Sequence, residues 1–129
     1  MAENFRSTTW RDLTVYKKAF ALAMEIFEIS KNFPFEEKYE LIDQLRRSSR
    51  SVCTAIGEGY RKRQYPKHFS SKISDADMEH TETQVSLDFA ETCRYIPNKE
   101  YNELRDKSEE VGRMLNHMVE DPEKYRPKH

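Results

Sequence analysis

The sequence predicts an all-α protein, an antiparallel up-down-up-down four-helix bundle. It has only 3 glycines and 5 prolines in 129 residues, and 35% of it is charged, which suits long helices better than many short strands. Four stretches repeat apolar residues at three- and four-residue spacing, and no strand pattern competes with them. A breaker bounds each stretch: Asn32-Phe33-Pro34, Tyr65-Pro66, Pro97-Asn98 and Asp121-Pro122. The helices are expected at about 12–32, 36–59, 65–96 and 99–120, in a single domain over 1–129 with a frayed tail at 121–129. Short links between long helices favour antiparallel neighbours.

The first helix carries two apolar rows side by side. One is Leu13, Tyr16, Phe20, Ala23 and Phe27; the other is Val15, Ala19, Leu22, Ile26 and Ile29. Together they cover a wider arc than a surface helix needs. The second helix follows Leu41, Leu45, Ser48, Val52 and Ile56, with Arg46, Arg47 and Arg50 on the other side and Cys53, Thr54 and Gly57 continuing outward. Gly57 and Gly59 each cost helix stability, about 1 kcal/mol relative to Ala, and make sense where another backbone comes close or the helix ends.

The third helix opens with Pro66 in its first turn. Phe69, Ile73, Ala76, His80, Thr83, Leu87 and Ala90 form one face; Met78, Val85, Phe89 and Ile96 form a second, nearly opposite one. A helix that is apolar on two sides needs cover on both. The rest of the bundle covers one side, and a second subunit is the simplest cover for the other. Cys53, Gly57, Met78, Val85 and Phe89 are therefore the expected oligomer contacts. The fourth helix, N-capped near Asn98, turns Leu104, Ser108, Val111, Leu115 and Met118 inward.

A net charge of −1 hides a segregated pattern. Residues 1–43 hold 6 basic and 8 acidic residues, 44–72 hold 8 and 1, and 73–129 hold 8 and 14. The basic group is Arg46, Arg47, Arg50, Arg61, Lys62, Arg63, Lys67 and Lys72. Such a group can neutralise phosphates, with Tyr60 and Tyr65 placed to stack on unpaired bases. It can equally face the acidic segment of its own or a neighbouring subunit, or solvent. Arg61 to Lys67 lie in a turn past Gly59, clear of the core, and are the sharper candidates for an anionic partner.

No catalytic set is legible. Glu58, the only acid in the basic stretch, has no nearby nucleophile, histidine or second carboxylate, and reads as an ion-pair partner of Arg46, Arg47 or another subunit. His80 lies on a core stripe and Asp77-x-x-His80 has no partner unit, so a structural histidine is expected rather than a metal ligand. His117 falls on the outer side of its helix. Cys53 and Cys93 stand forty residues apart without redox spacing, and read as small buried residues with free thiols. No cofactor or metal is expected. The opening MAENFRSTTW lacks the apolar core of a signal peptide, and the longest apolar runs are too short for a membrane span. The expectation is a cytoplasmic protein without a membrane partner.

Several local patterns resemble one family: Asp12-Leu13-x-Val15-Tyr16-x-Lys18-Ala19, Phe33-Pro34 with Glu36-Glu37-x-Tyr39-x-Leu41, Gln44-Leu45-Arg46-Arg47-Ser48, Ser51-Val52, Ile56-x-Glu58-Gly59-Tyr60, Glu82-Thr83-Gln84 and Arg113-Met114-Leu115-Asn116. In order and spacing, from about Trp10 to Val119, the chain resembles the bacterial 23S rRNA intervening-sequence (S23-type) proteins. Cys53 stands where that family often has Pro, Ala55 where it often has Asn, and Gly57 where Ala is usual. The resemblance implies a bundle that assembles into a ring-like homo-oligomer, usually a pentamer, with no enzymatic activity. Relatives in diversity-generating retroelements are accessory proteins that bind a reverse transcriptase and nucleic acid. Two readings follow. One is a non-enzymatic oligomer that binds RNA or DNA through the basic region. The other is a protein-interaction scaffold, or an accessory subunit of a partner such as a reverse transcriptase, without direct nucleic-acid contact.

Overall fold

The structure, a computed structural model, describes residues 9–128. Residues 1–8, which hold most of the opening read for a signal peptide, and His129 lie outside the described residues. Four helices form: α1 (Thr14–Ser30), α2 (Leu41–Tyr60), α3 (Pro66–Thr92) and α4 (Asn98–Glu120). Each packs on the next, and α1 closes the bundle against α4. Among the described residues there is no strand, and no helix is long and apolar enough to cross a membrane.

The core is split into two apolar clusters. One holds Val15, Ala19, Val52, Ile56, Phe69, Ile73, Val111 and Leu115; the other holds Leu22, Ile26, Leu41, Leu45, Leu87, Ala90 and Leu104. The interval between them in α2, α3 and α4 is polar. Ser48 and Thr83 share a hydrogen bond of 2.8 Å between hydroxyls, and Thr83 also donates to the Glu79 carbonyl at 3.0 Å. His80 Nε2 donates to the Ser108 carbonyl at 2.6 Å. Gln84 donates to Ser108 Oγ at 3.1 Å. No buried side-chain nitrogen or oxygen among the described residues lacks a partner, which such a layer requires.

The boundaries differ from the sequence reading in three places. The second helix starts at Leu41, because Phe35–Glu37 forms a separate 3-10 turn and Glu40 leaves helical geometry at ψ −93°. Phe35 and Tyr39 thus fall off the buried stripe and stay exposed. The third helix stops at Thr92. Arg94 takes a left-handed φ of 65°, its N–H bonds the Glu91 carbonyl, and Tyr95 N–H reaches back to the Ala90 carbonyl, a Schellman stop. Ile96, expected on the outer face, is thereby folded into the core. The tail expected to fray forms a 3-10 turn, Pro122–Tyr125, whose Tyr125 ring stacks on Phe69 at 5.3 Å.

The two rows of α1 separate as well. Val15, Ala19, Leu22 and Ile26 are buried, whereas on the other row Ala23 is buried but Phe20 is half exposed. The glycines of α2 meet different neighbours. A Cβ on Gly59 would lie 2.8 Å from Ile73 Cδ1 of α3, so its absence permits the close α2–α3 contact. A Cβ on Gly57 would lie 3.3 Å from the Trp10 ring, carried on the 3-10 turn Trp10–Asp12 of the same chain.

Two stability outcomes follow from these features. A non-glycine residue in the left-handed region costs about 1 kcal/mol, so Arg94→Gly should stabilise the protein by about that amount in urea denaturation. No gain would mean that the αL stop is not populated. Burial pushes the His80 imidazole below its ordinary 6.5, against the opposing effect of its Ser108 hydrogen bond. A depressed folded value means that the unfolded chain binds more protons as pH falls below 6.5. Stability from neutral His80 is therefore complete above that pH and decreases on acidification. Unfolding free energy measured between pH 7.5 and 5.5 should fall for the native chain and fall less for His80→Gln; parallel slopes would count against a buried neutral imidazole.

Candidate nucleic-acid interface

The eight basic residues of the second and third helices do not form one patch. Arg46 is half-buried and bound within the chain. Its Nε donates to Ser30 Oγ at 2.9 Å and its Nη2 to the Phe27 carbonyl at 3.4 Å, at the C-terminal end of α1. A cation there also complements the negative end of the helix dipole. Its guanidinium lies 4.6 Å from the Phe27 ring centre, with Arg50 at 5.7 Å and Lys31 at 4.7 Å from the same ring. Arg47 is exposed and 3.9 Å from Asp43, one turn earlier. Lys72 pairs with Glu58 at 2.9 Å and lies 3.9 Å from Asp75, and the Glu58 hydrogen bond and charge hold its ammonium above the ordinary lysine range. Glu58 is thus an ion-pair partner as expected, but of Lys72 rather than of Arg46 or Arg47.

The turn between α2 and α3 is arranged differently. Arg63 donates to the Tyr60 carbonyl at 3.1 Å and stacks on the Tyr60 ring at 4.0 Å, which ties it to the end of α2. Arg61, Lys62 and Lys67 are exposed and form no ion pair among the described residues. Lys62 and Lys67 flank the start of α3, and Arg61, at the end of α2, lines the groove between α1 and α2. Helix α3 has Pro66 at its first position, no side-chain cap from Tyr65 and no acid in its first turn. Uncapped amides at a helix start favour an anion. Tyr65 is exposed beside them, its ring 5.9 Å from His68.

The expected oligomer contacts also divide. Met78, Val85 and Phe89 are exposed. Cys53, expected both as an outward contact and as a small buried thiol, is buried in the core of its own chain, in the cluster of Val52 and Ile56. Burial pushes its thiol up to about 11, which makes it a poor nucleophile at neutral pH. Gly57 faces the Trp10 ring of its own chain and also lines the groove between α1 and α2. Cys93, read as buried, is exposed just past the end of α3, and both thiols are free. His80 is buried and His117 exposed, as the stripes of α3 and α4 require. Among the described residues no three His, Cys, Asp or Glu side chains gather to hold a metal.

Two features escaped the sequence reading. Trp10 seals the end of the α1–α2 groove, and the only sequence signal for it is the small Gly57 opposite. Phe35 and Tyr39 are exposed together, with the Lys38 ammonium 5.5 and 5.4 Å from their ring centres.

No curated protein is similar enough to match this chain. A solved structure from Bacteroides thetaiotaomicron, described as a protein of unknown function from the S23 ribosomal protein family, has the same fold. It superposes with a TM-score of 0.72 at 24% identity, over 82% of this chain and 95% of the other. Residues 11–117 match the family model of the 23S rRNA-intervening sequence protein, which spans all four helices, and the chain belongs to that family.

Proposed function

We propose that this protein is a non-enzymatic homo-oligomer that binds RNA or DNA at the α2–α3 turn. The observation that carries this reading is the pair Lys62 and Lys67, exposed and without an ion pair among the described residues, at the uncapped, acid-free start of α3. Backbone amides and flexible cations contact phosphate without reading sequence. The exposed Tyr65 adds a face on which an unpaired base can stack, which favours single strands over duplex. Arg46 and Lys72, whose charges are engaged within the chain, contribute little to that contact. Self-association is supported by the three large apolar side chains on the outer face of α3. The family resemblance suggests a pentamer, and our reading is of a cytoplasmic protein.

A second reading has its own support. Phe35 and Tyr39 form an exposed aromatic pair on the α1–α2 link, away from the basic turn. An accessory subunit for a partner protein such as a reverse transcriptase would use a surface of this kind and needs no nucleic-acid contact of its own.

The two readings separate in a binding assay. The first predicts retention of single-stranded RNA or DNA at 50 mM salt that declines steeply by 200 mM. With about 0.7 lost from the log–log salt slope per phosphate contact removed, Lys62→Glu with Lys67→Glu should lower that slope by roughly 1.4 and weaken binding at least about tenfold. Absence of binding to several unrelated nucleic acids at low salt would sink this reading. A protein partner retained after nuclease treatment and lost on Phe35→Ser with Tyr39→Ser would favour the second.

A further inference from the structure

The side of the bundle where α1 packs on α4 carries a cavity of about 560 Å³ that the proposed function does not use. Small-molecule sites fall in the range of roughly 300–1,000 Å³. Three elements line it: the start of α1, the last turns of α4 and the 3-10 turn Pro122–Tyr125. Its floor is apolar. Val15 and Met118 are only 3% and 2% exposed, and Leu13, Met114 and Tyr125 are half-buried beside them. The unbranched, polarisable thioethers of Met114 and Met118 adapt to a flat ring laid against them. The α2–α3 turn lies at the same end of the bundle, but Lys62 and Lys67 do not line this cavity.

The rim is basic. Arg113 and His117, four residues apart, share one side of α4, and Lys124 of the 3-10 turn lines the same cavity. All three are exposed, and none forms an ion pair among the described residues. No acid lines the cavity. Of the acids close by in sequence, Asp12 accepts the Thr9 N–H at 3.0 Å, Glu110 pairs with Lys18 at 3.3 Å and Glu123 with Arg126 at 3.5 Å. Glu120 and Asp121 form no ion pair among the described residues. Burial, and then the charge of Asp121, hold the Tyr125 hydroxyl above its ordinary range, so one carboxylate stands near that wall. Thr14 and Val15 also line the cavity, and their amides open α1, which has no side-chain cap from Leu13 and no acid in its first turn. They add donors to a site that its basic side chains already define.

We propose that this cavity binds a small aromatic monophosphate of mononucleotide size, with the phosphate at Arg113 and Lys124 and the ring against Met114 and Met118. The planar guanidinium of Arg113 can hold two phosphate oxygens together, and Lys124 adds a mobile charge. A phosphomonoester carries close to two negative charges at neutral pH, and so suits a rim of several basic groups better than a carboxylate with one. The lining holds no carboxylate or amide side chain to read the edge of a base, so the ring is recognised by its face rather than its identity. A bound ligand joins the start of α1 to the end of α4 and to the turn after it, and therefore stabilises the fold.

Isothermal titration calorimetry of the full chain in phosphate-free buffer tests this, with adenosine 5′-monophosphate and 1-naphthyl phosphate as probes. At least one should bind with a dissociation constant below about 1 mM and raise the melting temperature. Adenosine, 1-naphthol and inorganic phosphate each hold half of the recognised chemistry and should bind at least about tenfold more weakly. Arg113→Ala with Lys124→Ala, both at exposed positions, should weaken the probe at least about tenfold with an unchanged helical circular-dichroism spectrum. In the native chain, the methyl resonances of Met114 and Met118 should shift on titration. Lys62→Glu with Lys67→Glu should leave probe affinity unchanged even where it weakens nucleic-acid retention, so this site and the α2–α3 turn are scored apart. The proposal is overturned if neither probe binds, if inorganic phosphate binds as tightly as the probes, or if the Arg113 and Lys124 substitutions leave affinity intact. Methionine resonances that stay fixed, or affinity lost with Lys62 and Lys67, would put the phosphate elsewhere and overturn it equally.

Discussion

The buried polar layer between the two apolar clusters governs how the helices can be arranged. Apolar side chains pack acceptably in several registers, since dispersion and burial are not directional. Hydrogen bonds are directional, and a buried donor left unpaired costs roughly 1–3 kcal/mol. Ser48 with Thr83 sets α2 against α3, and His80 with Ser108 sets α3 against α4. A slip of one turn along either pair would strand several polar groups at once. Buried asparagines in coiled coils set register for the same reason.

That register determines what happens at the far end of the α2–α3 pair. With Ser48 opposite Thr83, Gly59 comes against Ile73, and any Cβ there would force the Ile73 side chain to shift. The close contact ends α2 at Tyr60 and brings the start of α3 back within five residues. The tight turn leaves Lys62 and Lys67 no core to cover, and so they project. The exposed cluster therefore follows from packing about 18 Å of helix away, the rise from Ser48 to the end of α2 at Tyr60 at 1.5 Å per residue.

The inward stripes of all four helices were legible because their spacing is strict: Leu41, Leu45, Ser48, Val52 and Ile56 are all buried. The ends of helices were less legible. Arg94 gives no warning of a left-handed stop, since glycine is the usual signal there and Tyr95 just beyond it is held by tertiary contacts, its hydroxyl on Glu37 and its ring on Phe33. Periodicity carried Ile96 outward because it assumed a helix that had already ended. Cys53, as an outward contact, was misplaced by a related error. The face of α2 that continues from Arg46 and Arg50 turns inward where α1 approaches, and no pattern within one helix shows where its neighbour stands. For the candidate site, the existence of a basic stretch was plain from charge counts, but which cations are free was not. Arg46 and Lys72 find partners on other helices, Ser30 and Glu58, sixteen and fourteen residues away in sequence.

The partition of these cations bears on why the basic stretch is so dense. Arg46 ties α2 to the last turn of α1 through geometry that a lysine would not reproduce, since two donors of one planar group reach Ser30 and Phe27 together. Arg50 and Arg61 line an apolar groove, where a long aliphatic stem can lie along the wall while the charge stays in water. Lys62 and Lys67 do neither, and compact, well-hydrated ammonium groups suit non-specific phosphate contact without committing to one geometry. The division of arginine and lysine within the stretch thus follows a division of tasks: arginine where a fixed shape must be met, lysine at the turn where a mobile charge is enough. Arg63 obeys the same rule from inside the turn, its planar group stacked on Tyr60 and bonded to the carbonyl at the end of α2.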